Sequence, residues 1–123
     1  MTKIIVVDDE AGYRRRIKDL LADEGYTVET ASTGQNAIDV AREFHPDLLV
    51  VDWMLKDELD GFDVAHALRR ESPNLETILI TGYPTPTLEA KALDSHVCAV
   101  VYKPFEPDEL SAAVRRGVKP EAR

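Results

Sequence analysis

The stretch KIIVVDDEAGYRRRI, residues 3–17, carries four strongly apolar residues straight into Asp8, Asp9 and Glu10. An apolar run of that length, without alternation, reads as a strand covered on both faces; it is too short for a helix. Its end is what needs explaining. Acidic residues often open helices, where they complement the positive end of the helix dipole. Behind them Tyr13, Ile17, Leu20 and Leu21 make one apolar stripe at helical spacing. The same carboxylates would equally suit the rim of a cation site. The remainder of the chain has to decide between the two.

Further short apolar runs follow at 48–51, 78–80 and 97–101, and a more polar one, TVETA at 27–31, suits an edge strand. Helical stripes alternate with them: Ala37, Val40, Ala41 and Phe44; then Val64, Ala65 and Leu68; finally Leu110, Ala113, Val114 and Gly117. Residues 85–94 form the weakest helical segment, with Pro84 in the preceding loop and Pro86 in the first turn, where no amide hydrogen is needed. Strand and helix thus alternate five times. Right-handed crossovers turn this into a parallel sheet with helices on both faces, a doubly wound α/β domain. Residues 1–118 are expected to be that domain and 119–123 a C-terminal tail.

The totals agree. The chain has 123 residues, enough for one core, with 44% hydrophobic and 31% charged residues. Its formal charge of −8 opposes direct binding to nucleic acid or an anionic membrane, whose phosphates reward clustered cations. Arg14, Arg15 and Arg16 do not change this, because consecutive helical residues fan out by about 100° each into a solvated rim. The single cysteine, Cys98, lies in an apolar run and is expected to be a small buried hydrophobe. No signal peptide or bilayer-length apolar span is recognisable, and a cytoplasmic location is expected.

In an open parallel sheet, ligands bind beyond the carboxyl ends of the strands. There the chain places Asp8 and Asp9 after the first strand, Asp52 after the third, Thr81 after the fourth, and Lys103 with Pro104 after the fifth. Helix starts alone would not explain Asp52, Thr81 and Lys103. The ordered pieces VVDDE (6–10), LLVVDWML (48–55), DGFD (60–63), ILITG (78–82) and VYKPF (101–105) resemble the receiver domains of two-component response regulators, the CheY-like superfamily, over nearly the whole chain.

That resemblance implies a flavodoxin-like (βα)5 fold with strand order 2-1-3-4-5. It implies that Asp52 is a phosphoacceptor and that Mg²⁺ is held by Asp8, Asp9, Asp52 and the main-chain carbonyl of Met54. Thr81 and Lys103 would meet phosphoryl oxygens, and Pro104 would follow a cis peptide bond. Such a hard ion suits oxygen ligands and would not suit a His or Cys site. Carboxylates about 4 Å apart repel by roughly 4 kcal/mol at an effective dielectric near 20, so a cation should stabilise the cluster. The implied donor is a histidine kinase or histidine phosphotransfer protein, since His45, His66 and His96 fall outside these motifs. The implied output is a downstream protein or an effector domain, and dimerisation through the fourth and fifth helices is left open. The chain is read as a signalling switch that catalyses only its own phosphoryl transfer and dephosphorylation. Met54 and Tyr83, bulky residues flanking the site, point to slow loss of the phosphoryl group.

Two positions depart from the family pattern. Nine steps, one more than usual, separate Asp52 from Gly61, with Lys56 where proline is common, so the loop KDELD at 56–60 is longer and more charged. Val100 stands where many receivers carry an aromatic switch residue, while Tyr102 lies two residues later, so switching would involve Thr81, Val100 and Tyr102. Two other functions fit the sequence less well. A phosphorylation-independent adaptor would usually lack one of the acidic, Thr or Lys positions, and none is lost. An aspartyl phosphohydrolase of the haloacid-dehalogenase type needs a second Asp where Met54 stands.

Overall fold

A computed structural model describes residues 2–55, 58–83, 85–94 and 96–118, with the side chains of 93 and 94 left aside. Lys56 with Asp57, Pro84 and the tail 119–123 lie outside the described residues. Strands β1 (Lys3–Val7), β2 (Thr27–Ala31), β3 (Leu48–Asp52), β4 (Glu76–Thr81) and β5 (Val97–Tyr102) alternate with helices α1 (Ala11–Asp23), α2 (Gly34–Phe44), α3 (Gly61–Glu71), α4 (Pro86–Asp94) and α5 (Pro107–Gly117). All four strand pairings are parallel and the order is β2-β1-β3-β4-β5, the order the family resemblance implied.

The unbroken apolar runs follow from that order. Strand β3 has neighbours on both sides and helices above and below, so all five of its residues are buried. Alternate residues face opposite layers. Ile5, Val7, Leu49, Val51 and Leu79 pack with Phe62, Val64, Leu68 and Leu88 of α3 and α4. Ile4, Val6, Leu48, Val50, Ile78 and Ile80 pack with Ile17 and Leu21 of α1 and with Leu110, Ala113 and Val114 of α5. The sheet thus separates two apolar layers, and every strand delivers its last residue to the same edge.

Local signals set the helix starts at that edge. Thr33 caps α2 by accepting the Asn36 amide at 3.1 Å. Asp60 and Asp63 form a reciprocal capping box on α3, at 2.9 and 3.0 Å. Gly61 opens α3 against β3: a Cβ there would lie 2.8 Å from the Asp52 carbonyl oxygen. Only glycine lets the helix approach so closely.

One expectation is overturned. Cys98 is exposed, not buried. Strand β5 is an edge strand, and its register with β4 slips so that Thr77 pairs with Val97 and Ile78 with Ala99, leaving Cys98 unpaired between them.

Candidate functional site

The end of β1 answers the opening question. No side chain caps α1; Glu10 is its N-cap residue, yet its carboxylate turns away from the helix amides. Asp8 instead organises the turn. Its Oδ1 accepts the Glu10 amide at 2.8 Å, and its carbonyl accepts from the Arg14 guanidinium at 2.8 Å. Arg14 is therefore half-buried and engaged, whereas Arg15 and Arg16 are exposed, as expected of a charged rim, with the Arg16 guanidinium 5.9 Å from the centroid of the Tyr13 ring.

Asp52 closes β3 beside this turn. Its Oδ1 accepts the Met54 amide at 3.0 Å and its Oδ2 accepts from the Lys103 ammonium at 2.7 Å. Lys103 follows β5 directly, its amide donating to the Thr81 carbonyl at 2.8 Å, and the Lys103–Pro104 peptide bond is cis. From there its Nζ reaches across the sheet edge, 3.0 Å from Asp8 Oδ2 and 3.3 Å from Glu10 Oε1. Nearly all of the Lys103 side chain is covered. One ammonium thus joins carboxylates from the ends of two strands and from the N-cap of α1.

The electrostatics follow from this crowding. Burial pushes the Asp8 carboxyl above the ordinary carboxylate range, and the Asp52 charge adds to the rise; the Glu10 amide and Lys103 pull it back only in part. Burial would lower the Lys103 ammonium, but the hydrogen bond to Asp52, the close contact with Asp8 and the charges of both carboxylates outweigh it and raise it above the usual lysine value. Lys103 is therefore a fixed cation at neutral pH.

Oxygens of Asp8, Asp9, Glu10 and Asp52 lie within 4.8 Å of one another. Asp8 Oδ2 is buried and has no hydrogen-bond donor among the described residues, its contact with Lys103 being an ion pair without hydrogen-bond alignment. An all-carboxylate set, one of whose buried oxygens meets only the Lys103 ion pair, fits a small hard divalent cation such as Mg²⁺ and offers no nitrogen or sulfur to a softer metal.

The other expected residues sit around this centre. Thr81 ends β4 and is fully buried; its hydroxyl accepts the Tyr83 amide at 3.0 Å. Met54 and Tyr83 are the most exposed large apolar side chains of the described residues, at 53% and 69%. Val100 packs into the layer beneath α3 and α4. Tyr102 turns away from the acidic cluster, and its hydroxyl donates to Glu89 of α4 at 3.1 Å. Trp53 packs against the core, and all three histidines are exposed. The sequence reading missed Glu10 as a partner of Lys103, although it stood in the acidic run, and Tyr13, whose ring lies 4.1 Å from the Lys103 ammonium.

Comparisons with known proteins agree with this geometry. The family model described as response regulator receiver domain matches residues 4–115. A probable transcriptional regulator, ycf27, of Pyropia yezoensis is 41% identical over 113 residues, covering 92% of this chain and 46% of that protein. Response regulator MprA of Mycobacterium avium is 34% identical over 122 residues, covering 97% of this chain and 53% of that one. The chain spans about half the length of the curated relatives it matches. Among solved structures, Vibrio cholerae chemotaxis protein CheY4 superposes with a TM-score of 0.88 at 27% identity, covering 96% of this chain and 99% of that one. With its acid-lined strand ends, its five-stranded order and a family match over most of its length, the chain belongs to the response regulator receiver domains.

Proposed function

We propose that residues 1–118 act as a phosphoacceptor switch, in which Asp52 takes a phosphoryl group from a phosphohistidine of a partner kinase or phosphotransfer protein. The observation that carries this reading is the Lys103 ammonium held between Asp52 and Asp8 inside the carboxylate cluster. In the transfer, the phosphorus–nitrogen bond of the donor breaks as a bond from an Asp52 carboxylate oxygen to phosphorus forms, and the donor imidazole leaves. The transition state is loose, with charge spread over the equatorial oxygens, so the protein has mainly to aim one oxygen and neutralise charge.

The side chains are arranged for both tasks. The Met54 amide fixes the Asp52 carboxylate orientation through Oδ1. Lys103 supplies a positive charge beside the acceptor oxygens and has only to exchange its Asp52 contact for a phosphoryl oxygen. The Thr81 hydroxyl takes the Tyr83 amide on a lone pair, which leaves its own proton to donate to a phosphoryl oxygen. Asp8, Asp9 and Asp52, with the Met54 carbonyl, would hold Mg²⁺, which when bound supplies charge neutralisation at the phosphoryl oxygens.

The switch would run through Thr81 and the 82–83 turn into α4, β5 and α5, because Val100 has no ring to flip and Tyr102 is tied to Glu89. The output would pass to a downstream protein or to an effector region of a longer chain, without direct nucleic-acid or membrane contact by this domain. Among the described residues no helix is long and apolar enough to cross a membrane. Acetyl phosphate with Mg²⁺, followed by intact mass, tests the reading. A gain of one phosphoryl group, lost in Asp52→Asn, is expected; an unmodified wild type would instead favour a phosphorylation-independent adaptor.

A further inference from the structure

Lys103 is held by more than its carboxylates. Its Nζ lies 4.1 Å from the centroid of the Tyr13 ring, at a site where only 8% of the lysine side chain is exposed. Tyr13 is the third residue of α1, and its ring is itself set by Phe105, two residues past Lys103, at 5.8 Å and a 42° tilt. The same ammonium lies 2.7, 3.0 and 3.3 Å from Asp52, Asp8 and Glu10. The ammonium therefore meets an aromatic face as well as its anions.

We infer that Tyr13 is a positioning residue for phosphoryl transfer: its ring face holds the Lys103 ammonium over the acceptor and keeps water from competing for it. The inference rests on the function proposed above. A lysine has a flexible four-carbon stem, whose rotamer freedom has to be surrendered before the ammonium can meet a phosphoryl oxygen. When that oxygen arrives, Lys103 must leave Asp52 Oδ2, the shortest of its three carboxylate contacts. The ring does not take part in that exchange. It attracts the cation through its quadrupole and restricts it to the space above the acceptor throughout. An aliphatic residue at position 13 would fill the same stripe on α1 but exert no such pull.

The test compares Tyr13→Phe, Tyr13→Leu and Tyr13→Met in the full chain. Two readouts are taken: the rate of Asp52 phosphorylation by acetyl phosphate with Mg²⁺, and the proton shift of the Lys103 ε-methylene in ¹H–¹³C spectra. The phenylalanine variant keeps the π face and should match the wild type in both. The leucine and methionine variants should react about 5- to 30-fold more slowly, the span a partly desolvated ring–ammonium contact supports. Their Lys103 ε-methylene signal should also move downfield on losing the ring current. Equal rates in all four proteins, or a phenylalanine variant as slow as leucine, would overturn the inference. An ε-methylene shift that ignores the ring would do so too. If leucine loosens α1, the methionine variant and the spectra still decide. The spectra do not require turnover, so a wild type that takes no phosphoryl group would refute the proposed function while leaving the ring–ammonium contact separately judged.

Discussion

Replacing Lys103 with methionine removes an ammonium 2.7 Å from Asp52 and 3.0 Å from Asp8, both of them buried. Breaking a buried pair by deleting one partner costs about 3–5 kcal/mol, because the remaining charge is left uncompensated. The lower end applies here, since Glu10 is exposed and the cluster is open to water on that side. At about 2.1 cal/mol/K of unfolding entropy per residue, a 123-residue chain shifts by about 4 °C per kcal/mol, so the Mg²⁺-free variant should melt about 12 °C below the wild type. Mg²⁺ should return part of the loss by taking over the neutralisation. The pH dependence has a definite sign. Lys103 titrates above its unfolded value, so its stabilisation is complete at neutral pH and is lost only as pH rises through its folded titration. Asp8 titrates above its unfolded value too, so its cost to the fold is present at neutral pH and is relieved as pH falls through its folded titration. Without Lys103, Asp8 should rise further, and the gap between variant and wild type should narrow as pH drops from about 7 to about 5. Differential scanning calorimetry with and without Mg²⁺ at both pH values measures all of this. A Mg²⁺-free melt within about 2 °C of the wild type would show that the ion pair does not compensate the cluster.

Mg²⁺ at about tenfold its dissociation constant should raise the wild-type melt by about 1.4 kcal/mol, or about 5 °C, and change Trp53 fluorescence; a flat titration in both signals refutes the metal assignment. Gly61→Ala brings a Cβ within 2.8 Å of the Asp52 carbonyl oxygen and 3.0 Å of Trp53 Cα, so it should cost about 1–3 kcal/mol in denaturant unfolding, and an unchanged midpoint would mean that α3 shifts freely. The Thr77 hydroxyl is fully buried with no partner among the described residues, so Thr77→Val should raise stability by about 1 kcal/mol; a clear loss would reveal a partner for it. The phosphoryl group on Asp52 should persist for minutes or longer in Mg²⁺ buffer, because exposed Met54 and Tyr83 offer an attacking water no carboxylate or amide; decay within seconds by intact mass would contradict this.

Much of this architecture was legible in the chain, and for a physical reason. Parallel strands covered on both faces read as unbroken apolar runs, and the polar residue ending each run lies at the same sheet edge. Asp8, Asp52 and Lys103 were therefore visible as one group before any distance was known. What stayed hidden depended on side-chain reach. Glu10 looked like part of a helix start, yet its carboxylate spans to Lys103, 93 positions away. Tyr13 belonged to an apolar stripe, and only its packing on Phe105 shows that the ring also faces an ammonium. Arg14 resembled its neighbours until the Asp8 carbonyl appeared opposite it. Cys98 was misplaced because a slip in strand register leaves no trace in an apolar run.

Asp52 ends the central strand in register with Ile80 of β4; the next amide, Trp53, donates to Ile80 at 2.9 Å, and Gly61 donates back to the Trp53 carbonyl at 2.9 Å. A residue pinned in this way is a stationary anvil. Any signal that leaves it has to be carried by the parts around it, above all the exposed turn at Tyr83, whose amide is tethered to the Thr81 hydroxyl. Slow amide exchange at residues 51–53, with exchange at Tyr83 that changes when Thr81 turns its hydroxyl elsewhere, would be the kinetic fingerprint of that division of labour.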